Sequence, residues 1–266
     1  MALQVIFSGV GEAFDENRTN TSMIVTHHTG GSLQQVLLDC GFSAAHAFWR
    51  HAPEPLNLDA VWVSHFHGDH FLGLPLLLLR FWEENRRKPL VIIGPAGVEA
   101  KVTAAMELAY PNFLPRIQYP IEFHPVNPAD RLIMAGLSWS FAPNDHAQNC
   151  LALRISTADI SLFYSGDGRP TSESEALAQN CDLMIHEAFT IETLQGGHGT
   201  VRDCIEFARR VKARMLALVH LNREVRNGQS GVLRQTLESV SDLKVLLPEG
   251  GDQVTLKSRR NTRKSR

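Results

Sequence analysis

Residues 60–70 read AVWVSHFHGDH. Ala60–Ser64 has the length and composition of a buried strand. It runs straight into His65, His67, Asp69 and His70, four titratable side chains within six residues. No other stretch constrains the fold as strongly, because clustered polar groups at a strand end need partners. In extended or tight-loop backbone, His65 and His67 share a side and can ligate one ion. Asp69 and His70 follow the turn that Gly68 permits and can face a second ion. Imidazole and carboxylate suit Zn²⁺, with Mn²⁺ or Fe²⁺ as alternatives.

Apolar runs of strand length recur at Leu3–Phe7, Ser22–Thr26, Gln35–Asp39, Leu90–Ile93, Leu151–Ile155, Ile160–Tyr164, Leu183–His186, Met215–His220 and Lys244–Leu247. Helical patterns lie between some of them. Thr200 can cap a helix whose apolar positions, Val201, Cys204, Ile205, Ala208 and Val211, follow the 3.6-residue period. Ser230 can open another, and Leu74–Trp82 also reads as helix. The pattern predicts sheets covered by helices.

Residues 1–255 contain no repeat or linker and read as one domain. Residues 256–266 read as a basic, disordered tail, since SRRNTRKSR (Ser258–Arg266) has no apolar residue to bury. A net charge of −2 supplies no global field toward nucleic acid or membrane. Cys40, Cys150, Cys181 and Cys204 are scattered with no CxxC pair, against a disulfide framework. MALQVIFSGVG reads as a strand, not a signal peptide, and Phe71–Leu79 is too short to span a bilayer. A cytoplasmic protein without membrane attachment is the expectation.

One cluster cannot complete two metal sites, but three other strand ends offer ligands. Asp167 lies in FYSGDG, His220 ends LALVH, and His146 follows Asn144-Asp145. Four strand ends delivering His or Asp point to a convergent site. Two more stretches stand near it: IHEA, with Glu187, and GHGT, with His198. A glutamate paired with a histidine can hold a protonated imidazole that donates to a leaving alkoxide. Alternatively, His198 and Thr200 only cap the helix, and Glu187 only sits on a solvated loop.

The H-x-H-x-D-H pattern of His65, His67, Asp69 and His70 resembles the metallo-β-lactamase superfamily, and His146, Asp167 and His220 fall in that superfamily's order. The resemblance implies a four-layer αββα sandwich with two Zn²⁺ at one edge. It implies that His65, His67 and His146 hold one ion, that Asp69, His70 and His220 hold the other, and that Asp167 bridges. Asp39 matches the superfamily's early aspartate, which orients a ligand histidine. HEAF (His186–Phe189), GHGT (Gly197–Thr200), GDHFLGLP and IIGPAG resemble the ribonuclease Z branch, whose own patterns are H-E-A-T and G-H-S-T. That likeness implies that His198 and Glu187 deliver a proton at the leaving 3′ oxygen, that Asp69 takes one from the nucleophile, and that the protein is a homodimer.

The chain also departs from that branch. The branch's tRNA-gripping arm belongs between the strands at Leu151–Ser156 and Ile160–Tyr164, which here are joined only by Thr157-Ala158-Asp159. The branch's basic N-terminal loop reads AFDENR here, and its H-F-S-x-R-Y motif reads HLNREV, which puts Arg223 one place early as a phosphate contact or a surface residue. The expectation is a phosphodiester hydrolase acting on RNA or a small nucleotide. It is either a tRNA 3′-end endonuclease or a phosphodiesterase for cyclic nucleotides or cyclic phosphates. A lactonase or thioesterase comes next. A metal protein without turnover is disfavoured by the complete set of ligands. His27, His28, His46, His51 and His124 match no motif and are expected to be dispensable.

Overall fold

The computed structural model describes residues 2–258. Two sheets form its centre. The first holds β1 (Ala2–Gly9), β2 (Ser22–Thr29), β3 (Ser32–Leu38), β4 (Ala60–Trp62), β5 (Leu90–Pro95) and β6 (Ile121–Val126) in chain order. The second holds β7 (Arg131–Met134), β8 (Leu137–Asp145), β9 (Cys150–Ser156), β10 (Ser161–Tyr164), β11 (Arg169–Pro170), β12 (Leu183–Glu187), β13 (Met215–Val219) and β14 (Lys244–Leu246). The last strand, β15 (Gln253–Lys257), returns to the first sheet beside β1.

Strand alternation separates the layers. Leu3, Val5 and Phe7 of β1 join Met23, Val25, Val36, Leu38 and Trp62 in a core that also takes Trp139, Phe141, Leu153, Leu162, Ile185 and Val219 from the second sheet. Trp62 stacks on Phe141 across the two sheets, 5.0 Å between centroids. The intervening residues Ile6, Ile24, Leu37 and Val61 face the other way, onto α1 (Ala44–His51), α3 (Leu74–Glu83) and α4 (Val98–Ala109); α2 (Gly68–Phe71) is a single turn between α1 and α3. On the far side, Met184, Leu216 and Leu218 pack against α6 (Val201–Arg210) and α7 (Ser230–Glu238), with α5 (Ser172–Ala178) at the sheet's edge. The result is the αββα sandwich expected from the sequence.

β3 to β6 run parallel, as do β10, β12, β13 and β14. Their carboxyl ends therefore gather at one edge, where open α/β sheets bind ligands. β15 runs through the boundary expected after residue 255. Leu256 is buried opposite Leu3, and Lys257 pairs with Ala2. The remaining basic residues of the expected tail, 259–266, lie outside the described residues. Among the described residues, no helix is long and apolar enough to cross a membrane. All four cysteines are buried and free.

Candidate metal centre

The strand ends deliver the side chains that the sequence singled out. His65 follows β4, His67 precedes α2, and Asp69 and His70 lie in it. His146 follows β8, Asp167 follows β10, and His220 follows β13. Gly166 and Gly168 place Asp167. Both have positive φ, +62° and +102°, which suits glycine. A Cβ on Gly168 would lie 2.5 Å from the Asp145 carbonyl, and one on Gly166 would lie 2.8 Å from Ser64 Cβ. Asp167 is therefore pressed between the strands that carry His65 and His146. Asp39 and His220 also hold positive φ, 57° and 59°, a conformation uncommon for residues with a side chain.

Hydrogen bonds fix which ring nitrogens face inward. Ser64 Oγ donates to Asp39 Oδ2 (2.8 Å), so it accepts from His65 Nδ1 (3.0 Å). His146 Nδ1 donates to the Gly197 carbonyl (3.3 Å). Both residues then turn unprotonated Nε2 atoms toward His67 Nδ1, at 3.0 and 3.1 Å. His67 can donate to only one of them. Three convergent imidazole nitrogens with at most one proton suit a cation at their centre.

The second group is more acidic. His70 Nδ1 donates to Asp39 Oδ2 (2.8 Å), which turns its Nε2 toward Asp69 Oδ2 and Asp167 Oδ1, each at 3.3 Å. His220 Nε2 lies 3.1 Å from Asp69 Oδ2 and 3.5 Å from Asp167 Oδ2. Asp167 Oδ2 also lies 3.9 Å from His65 Nε2, so this carboxylate faces both groups. His65, His67, His146 and Asp167 form one set, and Asp69, His70, Asp167 and His220 another, each with ligand atoms within 4.8 Å of one another. His70 Nε2 and Asp167 Oδ1 are buried without a hydrogen-bond partner. These residues fit a pair of divalent ions.

The electrostatics agree. Burial and the neighbouring His70 push His65 well below the ordinary imidazole pKa, which keeps it a neutral ligand. Burial opposes a charge on His70 and His220. Asp167, with Asp39 beside the first and Asp69 beside the second, outweighs it, and His220 rises to about 9. Burial likewise opposes ionisation of Asp69 and Asp167, yet the histidines hold both carboxyls below the usual range. Buried carboxylates that outnumber their cations attract a metal.

Glu187 ends β12, and its Oε1 accepts from Gly199 N (2.8 Å) and Gly168 N (3.1 Å). His198 Nδ1 lies 3.4 Å from that oxygen. Burial opposes charge on His198, but Glu187 and Asp167 outweigh it and raise its pKa. Thr200 alone performs the capping, accepting from Asp203 N at 3.0 Å. Arg223 is engaged elsewhere, with Nη1 3.0 Å from Glu12 Oε1 and its guanidinium over Phe14.

Sequence reasoning missed three contributors. Tyr164 donates to Asp39 Oδ2 (2.6 Å), and Ser64 donates to both oxygens of Asp39 through N and Oγ. Both sit at strand ends next to recognised motif residues, which is the signal that could have found them. Glu12, buried in the loop after β1, had no such signal.

The family model described as "Anti-Pycsar protein Apyc1" matches residues 3–237. Ribonuclease Z of Natronomonas pharaonis is 26% identical over 308 residues, covering 96% of this chain and 98% of that protein. Ribonuclease Z of Shouchella clausii is 25% identical over 282 residues, covering 85% and 89%. Among solved structures, the metallo-β-lactamase fold protein YhfI from Bacillus subtilis matches with a TM-score of 0.78 at 21% identity, covering 96% of this chain and 100% of that one. The short form of human tRNase Z matches with a TM-score of 0.73 at 21% identity, covering 94% and 98%. These likenesses establish the metallo-β-lactamase fold.

Proposed function

The chain belongs to the family described as anti-Pycsar protein Apyc1, and we propose that it is a dinuclear zinc phosphodiesterase acting on a small nucleotide diester, such as a cyclic nucleotide, rather than on a gripped tRNA. One observation carries this reading. β9 and β10 are joined by a tight turn in which Thr157 N donates to the Ile160 carbonyl at 2.9 Å. No arm leaves the fold at the position expected for one. The alignment with the Natronomonas relative is longer than this chain, 308 against 266 residues, so that relative carries segments absent here. Without an arm and a basic loop, phosphate neutralisation along a long RNA loses most of its strength. A diester that fits the metal edge needs neither.

Held by His65, His67, His146, Asp69, His70, Asp167 and His220, two divalent ions would supply a nucleophile at neutral pH and offset phosphoryl charge. The side chains do the rest. Asp69 Oδ2, already facing His70 and His220, accepts the proton of the attacking group. Glu187 is held by two backbone N–H groups and keeps His198 charged. His198 passes its proton to the leaving alkoxide. Asp39 and the Gly197 carbonyl hold the ligand rings through their second nitrogens.

The test loads the protein with zinc and offers a cyclic nucleotide, a 3′-extended pre-tRNA and bis(p-nitrophenyl) phosphate in parallel. Hydrolysis of the small diesters with intact tRNA supports the reading. Efficient cleavage of the tRNA near its 3′ end would replace it with the tRNA-processing reading that the relatives' names favour. Inertness toward all three would remove phosphodiester hydrolysis and bring lactones and thioesters forward.

A further inference from the structure

Resting on the reading of His198 as the leaving-group acid, we propose that Phe189 is the residue that positions it. The ion pair alone does not fix the imidazole. His198 Nδ1 has no well-formed hydrogen bond, and Glu187 at 3.4 Å can be met from a range of ring orientations. The ring is fixed by packing instead. Phe189 stacks on His198 with centroids 4.7 Å apart and planes 22° apart. His198 lies 5.7 Å from His220 at 19°, and Phe189 lies 6.3 Å from His220 at 40°. The three rings thus form a triangle, stacked along the two sides that meet at His198 and tilted along the third, with a candidate metal ligand at one corner. His146 meets His198 edge-on at 5.3 Å.

Phe189 is itself anchored on two sides. Its N–H donates to the Gly199 carbonyl (3.0 Å), next to His198, and its carbonyl accepts from Asn222 N (2.9 Å), just past His220. Its backbone therefore ties together the two segments whose histidines its ring touches. The ring is half-buried, so it packs without sealing the site. It stands where the H-E-A-T pattern has threonine, which offers no plane to stack on. Ring stacking has a preferred offset geometry, so it holds an imidazole plane in a way that bulk alone does not.

In the reaction, the Nε2 proton of the His198 imidazolium moves to the leaving oxygen as its bond to phosphorus breaks. Neutral imidazole remains and recovers a proton from water. A misdirected ring penalises only leaving groups that need this proton. Phe189→Ala, Phe189→Leu, Phe189→Tyr and His198→Ala are compared on bis(p-nitrophenyl) phosphate, whose phenolate leaves unprotonated, and on a cyclic nucleotide, whose alkoxide does not. Zinc content is measured for each.

His198→Ala is expected to slow the alkoxide substrate selectively. Phe189→Ala and Phe189→Leu should reproduce this in part, lowering kcat about tenfold with KM unchanged and leaving the nitrophenyl substrate within about twofold. Phe189→Tyr should restore the rate, and zinc should stay bound throughout. A selective His198→Ala beside Phe189 variants that slow both substrates alike, or neither, overturns the positioning role. An unselective His198→Ala overturns the acid and the positioning role together. Wild-type inertness toward both diesters sinks the proposed function, and the positioning role with it.

Discussion

Asp39 organises more of the site than its place outside the ligand set suggests. Its two oxygens accept from Ser64 N, Ser64 Oγ, His70 Nδ1 and Tyr164 Oη, all buried. Through Ser64 it also sets the tautomer of His65. One carboxylate thus orients a ligand in each metal group. Asp39→Asn places an amide N–H₂ against these donors. We expect zinc affinity to fall on the order of 10- to 100-fold, read by competition with a chelating indicator; unchanged affinity would reduce Asp39 to a fold-stabilising residue. Glu187 separates the roles differently. Glu187→Gln can keep the acceptor for Gly168 and Gly199 but removes the charge that raises His198. The expectation is a loss in kcat of at least about 10²-fold with full zinc content. Loss of zinc instead would place Glu187 among the ligands.

Glycines and caps set the edges of the elements, and these edges place the chemistry. Gly168→Ala puts a Cβ into the Asp145 carbonyl at φ +102°. Strain there is expected to cost about 1–3 kcal/mol, measured by denaturant unfolding, and to cost metal as Asp167 shifts. Thr200→Ala removes the cap of α6 and should cost about 1 kcal/mol, while Thr200→Ser should be nearly neutral. The same physics decides what the sequence disclosed. Strands buried on both faces, such as β4 and β13, announce themselves as apolar runs, and for that reason the histidines just past them, His65 and His220, read as ligands. β12 announces itself in the same way and ends on Glu187, which reads as the partner of His198. β6 was missed because it is a half-exposed edge strand carrying His124 and Pro125. The β7–β8 hairpin was missed because its two-residue turn, Ala135-Gly136, takes φ +50° and +70°. Such a turn is usually signalled by Asn-Gly or Asp-Gly, and alanine hid it. The metallo-β-lactamase fold was legible because the ligand motif and the strand runs agreed. Arg223 stays open in the sequence because a phosphate contact and a partner for Glu12 look alike in one dimension.

At the scale of the whole molecule, two sheets bring their carboxyl ends to one edge, and the charge gathered there couples metal, pH and stability. Without metal, His220 has a pKa near 9 in the folded chain against 6.5 for an ordinary imidazole, and His70 is raised as well. A raised folded pKa contributes stability that is complete below about 6.5 and is lost as pH climbs through the folded value. The carboxyls are depressed, so their contribution is already complete above the ordinary aspartate range and stays constant here. His65 is lowered, and its effect ends by about 6.5. The metal-free protein should therefore lose stability steadily between pH 6.5 and 9. Metal binding requires neutral imidazoles and releases protons, so stabilisation by zinc should grow over the same interval, reaching about 4 kcal/mol at a free concentration a thousand times Kd. Thermal unfolding with and without a chelator, at pH 6.5 and pH 9, tests both slopes. Diverging Tm values as pH rises would tie the carboxylate-rich cluster to metal. Parallel curves would mean that the cluster is held by protons and not by ions, and the hydrolase reading would lose its footing.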